Sequence, residues 1–320
     1  MTEPSIAADL TVVIPTVGRS LLEGCLDSIA AGTVWPGEVV VVDQSRTELV
    51  VPWIERLRSA GLSITHVRSD ESGIAAATNR GFDRVPTPYV ATTHDDCRVR
   101  ADWLENISAR VRVVGDAIVT GRVEPEGDGV VLTIVTSAEP KTYTRPMIDR
   151  DVLFPPNMAF PIRLLERIGY LDEHASLRTA GEDNEWAYRA LRSGIQIVYD
   201  PHSVVSHIAW QARGELKDVY RRYARGQGAF YGKYVRRGDP FILRRMIRDL
   251  VRAPWLVTRA ALTGNSELMA MGVGELIGLP AGIVAGLRNS GEHQPTRSRI
   301  GSDMTPLTRR RRSRRLRPPR

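Results

Sequence analysis

Short hydrophobic runs recur through the first 120 positions, at 10–14, 38–42, 64–68, 89–93 and 117–120, and the stretches between them, such as 21–31 and 101–113, have helix length and composition. Apolar runs alternating with helical segments predict βαβ units and an α/β fold with a mostly parallel sheet flanked by helices. The run Val39-Val40-Val41-Val42 is unbroken by polar residues, as a strand covered on both faces requires, and it ends in Asp43. After Gly121 the pattern loosens into Pro- and Gly-containing segments. It recovers with helical spacing at 161–168 and 183–192 and a strand-like run at 195–199.

Beyond residue 210 the pattern changes. Phe241, Met246, Ile247, Leu250, Val251 and Trp255 fall at helical spacing, while Arg244, Arg245, Arg248 and Arg252 lie largely elsewhere on the wheel. Such a basic amphipathic helix suits either a membrane interface or packing on its own domain. Residues 268–287 are apolar except for Glu275, and Gly274, Gly278, Gly282 and Gly286 make one smooth face for close helix packing. Their length approaches a bilayer span, but a central carboxylate costs about 2.5–3.5 kcal/mol on insertion. With Pro280 interrupting the run, a re-entrant or surface-lying helix is the better expectation. The expected division is a catalytic domain over 1–212, a helical membrane-associating appendage over 213–290, and a disordered Arg-rich tail over 291–320.

A chain of 320 residues, 42% of them hydrophobic, can bury the core of one large α/β domain and carry such an appendage. The net charge of +7 is unevenly spread: residues 297–320 hold 10 Arg against one Asp, residues 213–252 carry +8, and residues 1–212 carry −9. An acidic first part followed by a basic second part predicts that the latter meets an anionic surface. The two cysteines, Cys25 and Cys97, lack metal-ligand spacing, and the N-terminus lacks an apolar signal segment. Both point to a reducing cytoplasm, with the protein peripheral at the inner face of the membrane.

The chemistry concentrates at strand ends. Asp95 and Asp96 follow the run at 89–93, where open α/β sheets bind ligands, and paired carboxylates there suit a divalent metal carrying a phosphorylated substrate. A solvated turn would use the same pair. Three ordered blocks sharpen the reading: LTVVIPTVGRSLLEGCLDSIAAGTVWPGEVVVVD from Leu10, ESGIAAATNRGFDRVPTPYVATTHDDCRVRADWLENI from Glu71, and PPNMAFPIRLLERIGYLDEHASLRTAGEDNEWAYRALRSGIQIVYDPHSVVSHIAW from Pro155. Together they resemble glycosyltransferase family 2, the inverting nucleotide-sugar enzymes of GT-A fold, over roughly residues 10–210.

The resemblance implies a donor site at Pro15, Thr16, Asp43, Gly73, Asn79, His94 and Asp95, and Mg²⁺ or Mn²⁺ on Asp96 with His207. It implies Asp183 as the catalytic base, and Asn157, Met158, Glu182, Trp186 and Arg189 toward the acceptor. Thr78 stands where the family often has Arg, and His94 where an acid is usual. Ordinary structural roles remain open: Glu182 and Asp183 start a helix, where carboxylates are favoured anyway, Trp186 and Arg189 could be helix-face residues, and His207 could simply end a strand.

The expected activity is metal-dependent transfer of a hexosyl or deoxyhexosyl group from a UDP-, GDP- or dTDP-sugar to a glycan or lipid-linked acceptor, in envelope or surface polysaccharide assembly. One alternative is a sugar-1-phosphate nucleotidyltransferase, for which IPTVGRS is a poor glycine-rich loop. Another is a non-enzymatic nucleic-acid binder. The Arg-rich tail lacks interleaved aromatics and any reading module, so no specific nucleic acid is expected.

Overall fold

The computed structural model describes residues 4–129, 134–148, 152–174, 177, 180–209 and 215–288. The tail expected over 291–320 and the boundary expected at 212 lie outside the described residues. The first half alternates β1 (Ser5–Thr16), α1 (Leu21–Ala30), β2 (Val34–Asp43), α2 (Val51–Ser59), β3 (Ile64–Arg68), α3 (Ile74–Phe82) and β4 (Tyr89–Thr92). Then come β5 (Cys97–Val99), α4 (Trp103–Val114), β6 (Ala117–Glu126), β7 (Lys141–Tyr143), β8 (Met158–Pro161), α5 (Leu165–Ile168), α6 (Glu182–Arg192) and β9 (Gln196–Ile208). Three helices follow: α7 (Leu216–Val235), α8 (Pro240–Thr263) and α9 (Ser266–Arg288).

One sheet runs β3-β2-β1-β4-β8-β6-β9-β5, with β7 also on β9. Strands β3, β2, β1 and β4 are parallel, as is β6 with β9. The short strands β5, β7 and β8 enter antiparallel, making the sheet mixed beyond β4. The sequence pattern does not register β5, β7 and β8, whose three or four residues put at most two side chains on a face. Val39 to Val42 are all fully buried, as a strand covered on both faces must be. The register sets Thr16 beside Asp43 at the carboxyl ends of β1 and β2. Both cysteines are buried and free.

The C-terminal helices share a second apolar cluster with the sheet domain, in which Tyr188 of α6 packs among Phe230, Tyr231, Tyr234 and Ile242. Helix α9 lies on α7 backbone to backbone. A Cβ at Gly282 would sit 2.0 Å from the carbonyl oxygen of Arg225, and one at Gly286 would sit 2.1 Å from that of Ala229; Gly228 and Gly232 of α7 make reciprocal approaches to α9. The glycine spacing legible in the sequence therefore serves contact within the protein. Among the described residues, α9 is also long and apolar enough to cross a membrane by length and composition.

Gly282→Ala opposes two effects. Helix propensity favours Ala by about 1 kcal/mol, whereas overpacking costs about 1–3 kcal/mol. Here the obstruction is a backbone carbonyl that no rotamer change can move, so overpacking wins. The expected result is a lower urea midpoint with unchanged m-value; an equal or higher midpoint would show that α7 and α9 separate without cost.

Candidate active site

Asp95 and Asp96 emerge where β4 ends. Thr16 Oγ1 donates to Asp95 Oδ2 at 2.7 Å, and Arg19 Nη1 reaches Asp95 Oδ1 at 3.2 Å and Asp96 Oδ2 at 3.4 Å. Burial pushes the Asp95 carboxyl up, while Arg19 and the Thr16 hydroxyl pull it back. The β5–β9 register sets His207 opposite Cys97, which brings His207 Nε2 to 3.7 Å from Asp96 Oδ2, too long for a direct hydrogen bond. Its Nδ1 is buried with no hydrogen-bond partner. Ligand atoms of Asp96, Cys97 and His207 all lie within 4.8 Å of one another. Burial drives the Cys97 thiol well above its usual range, so it stays protonated and is a poor ligand. A carboxylate and an imidazole remain, a donor pair that fits a divalent cation whose other ligands come from a diphosphate and water. Partly exposed His94 is held at about 4, first by burial, with Asp96 opposing and His207 and Arg19 adding to the shift, so it is neutral at ordinary pH.

The other expected donor residues divide into two groups. Pro15 ends β1 with Thr16, beside Val42 and Asp43. Asp43 is fully buried: its Oδ1 accepts the Ser45 N–H at 2.8 Å, and its Oδ2 lies 3.1 Å from both His66 Nε2 and Arg68 Nη1. Gly73 precedes α3 at φ 113°, which only glycine adopts readily, and its carbonyl accepts from Gln44 Nε2 at 3.0 Å. Asn79 is not placed to hold a donor. Its amide bonds the backbone of Leu171 in both directions, at 2.9 and 3.0 Å, and Glu173 at 2.7 Å. It ties α3 to the segment before α6. Arg19, which the motifs do not single out, is the cation between the two carboxylates; its only sequence signal is a basic residue in the loop after β1.

Gly181 precedes α6 in the left-handed region (φ 90°). A Cβ on Gly181 would meet the Gly226 carbonyl group of α7 at 2.8–2.9 Å, and one on Gly226 would lie 1.9 Å from the Ala180 oxygen. Paired glycines thus press the start of α6 against α7 and fix Glu182 and Asp183 there. Burial pushes both carboxyls up, Glu182 well above its usual range with Asp183 adding repulsion, and Asp183 less far because the Asn184 N–H donates to it at 2.7 Å. Glu182 Oε2 is buried without a partner. Tyr223 of α7 is pushed to about 12, first by desolvation of its hydroxyl, then by the charges of Asp183, Glu182 and Asp96.

Four expected acceptor residues support the site from behind. Asn157 is fully buried, bonding Trp103 Nε1 and the carbonyls of Arg122 and Ser203. Met158 is fully buried in β8. Trp186, also fully buried, donates to the Gly169 carbonyl at 2.9 Å. Arg189 holds the carbonyls of Ile168 and Tyr170 and the carboxylate of Glu185. Asn157, Met158 and Trp186 are fully buried and Arg189 is committed to two carbonyls and Glu185, so in this arrangement these side chains shape the site rather than face an acceptor.

Residues 11–165 match the family model described as Glycosyl transferase family 2. Comparison with curated proteins gives no match. Solved structures of similar fold include S. aureus TarS 1-349 in complex with UDP-GlcNAc, at 16% identity and TM-score 0.53, covering 70% of this chain and 66% of that one. Mannosyltransferase PcManGT from Pyrobaculum calidifontis, in complex with GDP-Man and Mn2+, aligns at 20% identity and TM-score 0.57 over 88% of each chain. GalNAc-T7 with UDP, GalNAc and Mn2+ aligns at 17% identity and TM-score 0.51, over 71% of this chain and 50% of that one. This chain spans 65 and 66% of two TarS 1-349 structures, just under two thirds. At these identities the likeness is one of fold, a GT-A arrangement of mixed sheet and flanking helices, and the stretch 11–165 within it is similar to glycosyl transferase family 2.

Proposed function

We propose that the protein transfers a sugar from a nucleotide-sugar to an acceptor hydroxyl by a single inverting displacement, with Asp183 as base. The observation that carries this reading is the co-location of two carboxylate groups, Asp95 and Asp96 at the strand ends and Glu182 and Asp183 at the start of α6, with charges from both raising the Tyr223 hydroxyl. Thr16 and Arg19 orient Asp95 at the donor end, where it would meet the nucleotide sugar. Asp183 removes the acceptor proton as the bond to the anomeric carbon forms. Asp96 and His207 would hold a divalent ion, which supplies Lewis-acid neutralisation of the leaving diphosphate.

An imidazole beside a carboxylate suits Mn²⁺ better than Mg²⁺. A thermal-shift panel of UDP-, GDP- and dTDP-sugars should therefore show one nucleotide raising Tm with Mn²⁺ more than with Mg²⁺, and Asp96→Ala should abolish the metal-dependent part. Turnover should release nucleoside diphosphate. Release of pyrophosphate would instead identify a nucleotidyltransferase.

The acceptor in this reading is membrane-proximal and lipid-linked, in envelope polysaccharide synthesis. The support is the outer face of α8, where Leu243, Ile247, Val251, Trp255 and Leu262 are exposed along one side and Arg244, Arg248, Arg252 and Arg259 run beside them. Exposed Leu276, Ile277 and Val284 of α9 add apolar surface. Each arginine near an anionic leaflet contributes about 1 kcal/mol. The full chain should co-sediment with phosphatidylcholine vesicles containing phosphatidylglycerol and much less with phosphatidylcholine alone, and Val251→Glu should release it. Equal recovery in the supernatant with both vesicles at low salt would make the acceptor a soluble one.

A further inference from the structure

A cavity of about 390 Å³ opens between α6, α7, α8 and α9, with Asp183 in its wall. None of the three sequence blocks supplies its far side, which comes from the C-terminal helices. We infer that this cavity binds an uncharged glycosyl unit of the acceptor, so that the three C-terminal helices form the acceptor-sugar site. The inference rests on Asp183 being the base.

The wall chemistry selects the ligand. Both guanidinium groups in the wall are already held by carboxylates: Arg245 Nε lies 3.2 Å from Asp249, and Arg252 pairs with Glu275. Asp183 makes no ion pair among the described residues. A phosphate entering here would face an unpaired carboxylate and would have to break an existing ion pair to find a cation, which like-charge repulsion and desolvation oppose. A neutral polyol meets no such cost. Its hydroxyls can donate to carboxylates and accept from amides, and Gln227 Nε2 is a buried donor without a partner in the wall, beside Asn184, whose Nδ2 donates to Gln227 Oε1 at 3.1 Å. Tyr220, Tyr223 and Tyr231 also line the space, and their rings can cover the apolar C–H faces of a sugar. The volume falls within the usual range for small-ligand sites. Any phosphate or lipid of the acceptor then stays outside, toward the α8 surface.

The test uses the full chain and saturation-transfer NMR with methyl glycosides of common hexoses and N-acetylhexosamines, against the matching hexose 1-phosphates. Donor binding to UDP-, GDP- and dTDP-sugars is measured in parallel. At least one methyl glycoside should bind about tenfold or more tightly than its phosphate counterpart. Gln227→Leu and the surface-accessible Tyr223→Ala should each weaken it about tenfold with Tm unchanged, and Gln227→Leu should leave the donor dissociation constant unchanged. Preference for the phosphates overturns the inference, as does glycoside binding that survives in both variants. Donor binding without any glycoside binding overturns it and leaves the transferase reading standing, whereas loss of donor binding as well sinks both.

Discussion

Asp183→Asn is expected to lower kcat for sugar transfer by about 10²–10⁴-fold, the usual contribution of a positioned base, while the donor dissociation constant stays within about a factor of three. The asymmetry follows from position: Asp183 lines the cavity between α6 and the C-terminal helices, whereas Thr16, Asp95 and Asp96 lie at the strand ends. The pH profile gives the sign. Burial raises the Asp183 carboxyl above its ordinary value, and a base works ionised, so activity should rise with pH through a pKa above the usual aspartate range. That limb should vanish in the Asn variant. Glu182→Gln is the contrast, because burial, then Asp183, push Glu182 well above its ordinary value and so favour its neutral form, which Gln mimics. Full turnover by Asp183→Asn, or a loss confined to Glu182→Gln, would move the base from one carboxyl to its neighbour.

Removing Glu185 should have the largest effect on stability. Its Oε1 accepts from Lys233 Nζ and Tyr234 Oη, both at 2.8 Å, and its Oε2 from Arg189 at 2.7 Å, all within the seam joining α6 to α7. Burial by itself would raise this carboxyl, but Arg189 and Lys233 prevail and hold it at about 2. A folded-state value below the unfolded one contributes stability that is complete above the ordinary carboxylate range and lost as pH falls toward 2. The gap amounts to roughly 3 kcal/mol. Glu185→Gln leaves Arg189 buried without its anion and Lys233 with Asp172 alone, and breaking such a pair costs about 3–5 kcal/mol. Urea unfolding should show that loss at pH 7 and a narrowing difference between variant and parent below about pH 4. Equal midpoints at pH 7 would mean that apolar packing alone holds α6 on α7. Because Asp183 sits two residues earlier on the same helix, the variant should also lose transfer activity at temperatures where it remains folded.

The sequence by itself determined the parallel half of the sheet, the placement of Asp43, Asp95 and Asp96 at strand ends, and the amphipathic and glycine-faced character of α8 and α9. These are properties of one segment at a time: a run of valines or a four-residue glycine spacing states which face must be covered, whatever covers it. Tertiary structure decided what each polar side chain does, because its partner lies far along the chain. Asn79 carries a motif position yet spends its amide on Leu171, 92 residues away, and Asn157 spends its own on Arg122 and Ser203. Arg19 and Tyr223 carry no motif signal, yet one sits between the two strand-end carboxylates and the other lines the same cavity as Asp183. The same holds for the glycines. Their spacing in α9 foretold a close contact, but only the approach of Arg225 and Ala229 identified α7 as the surface they meet, since a helix face has no partner until the chain has folded around it.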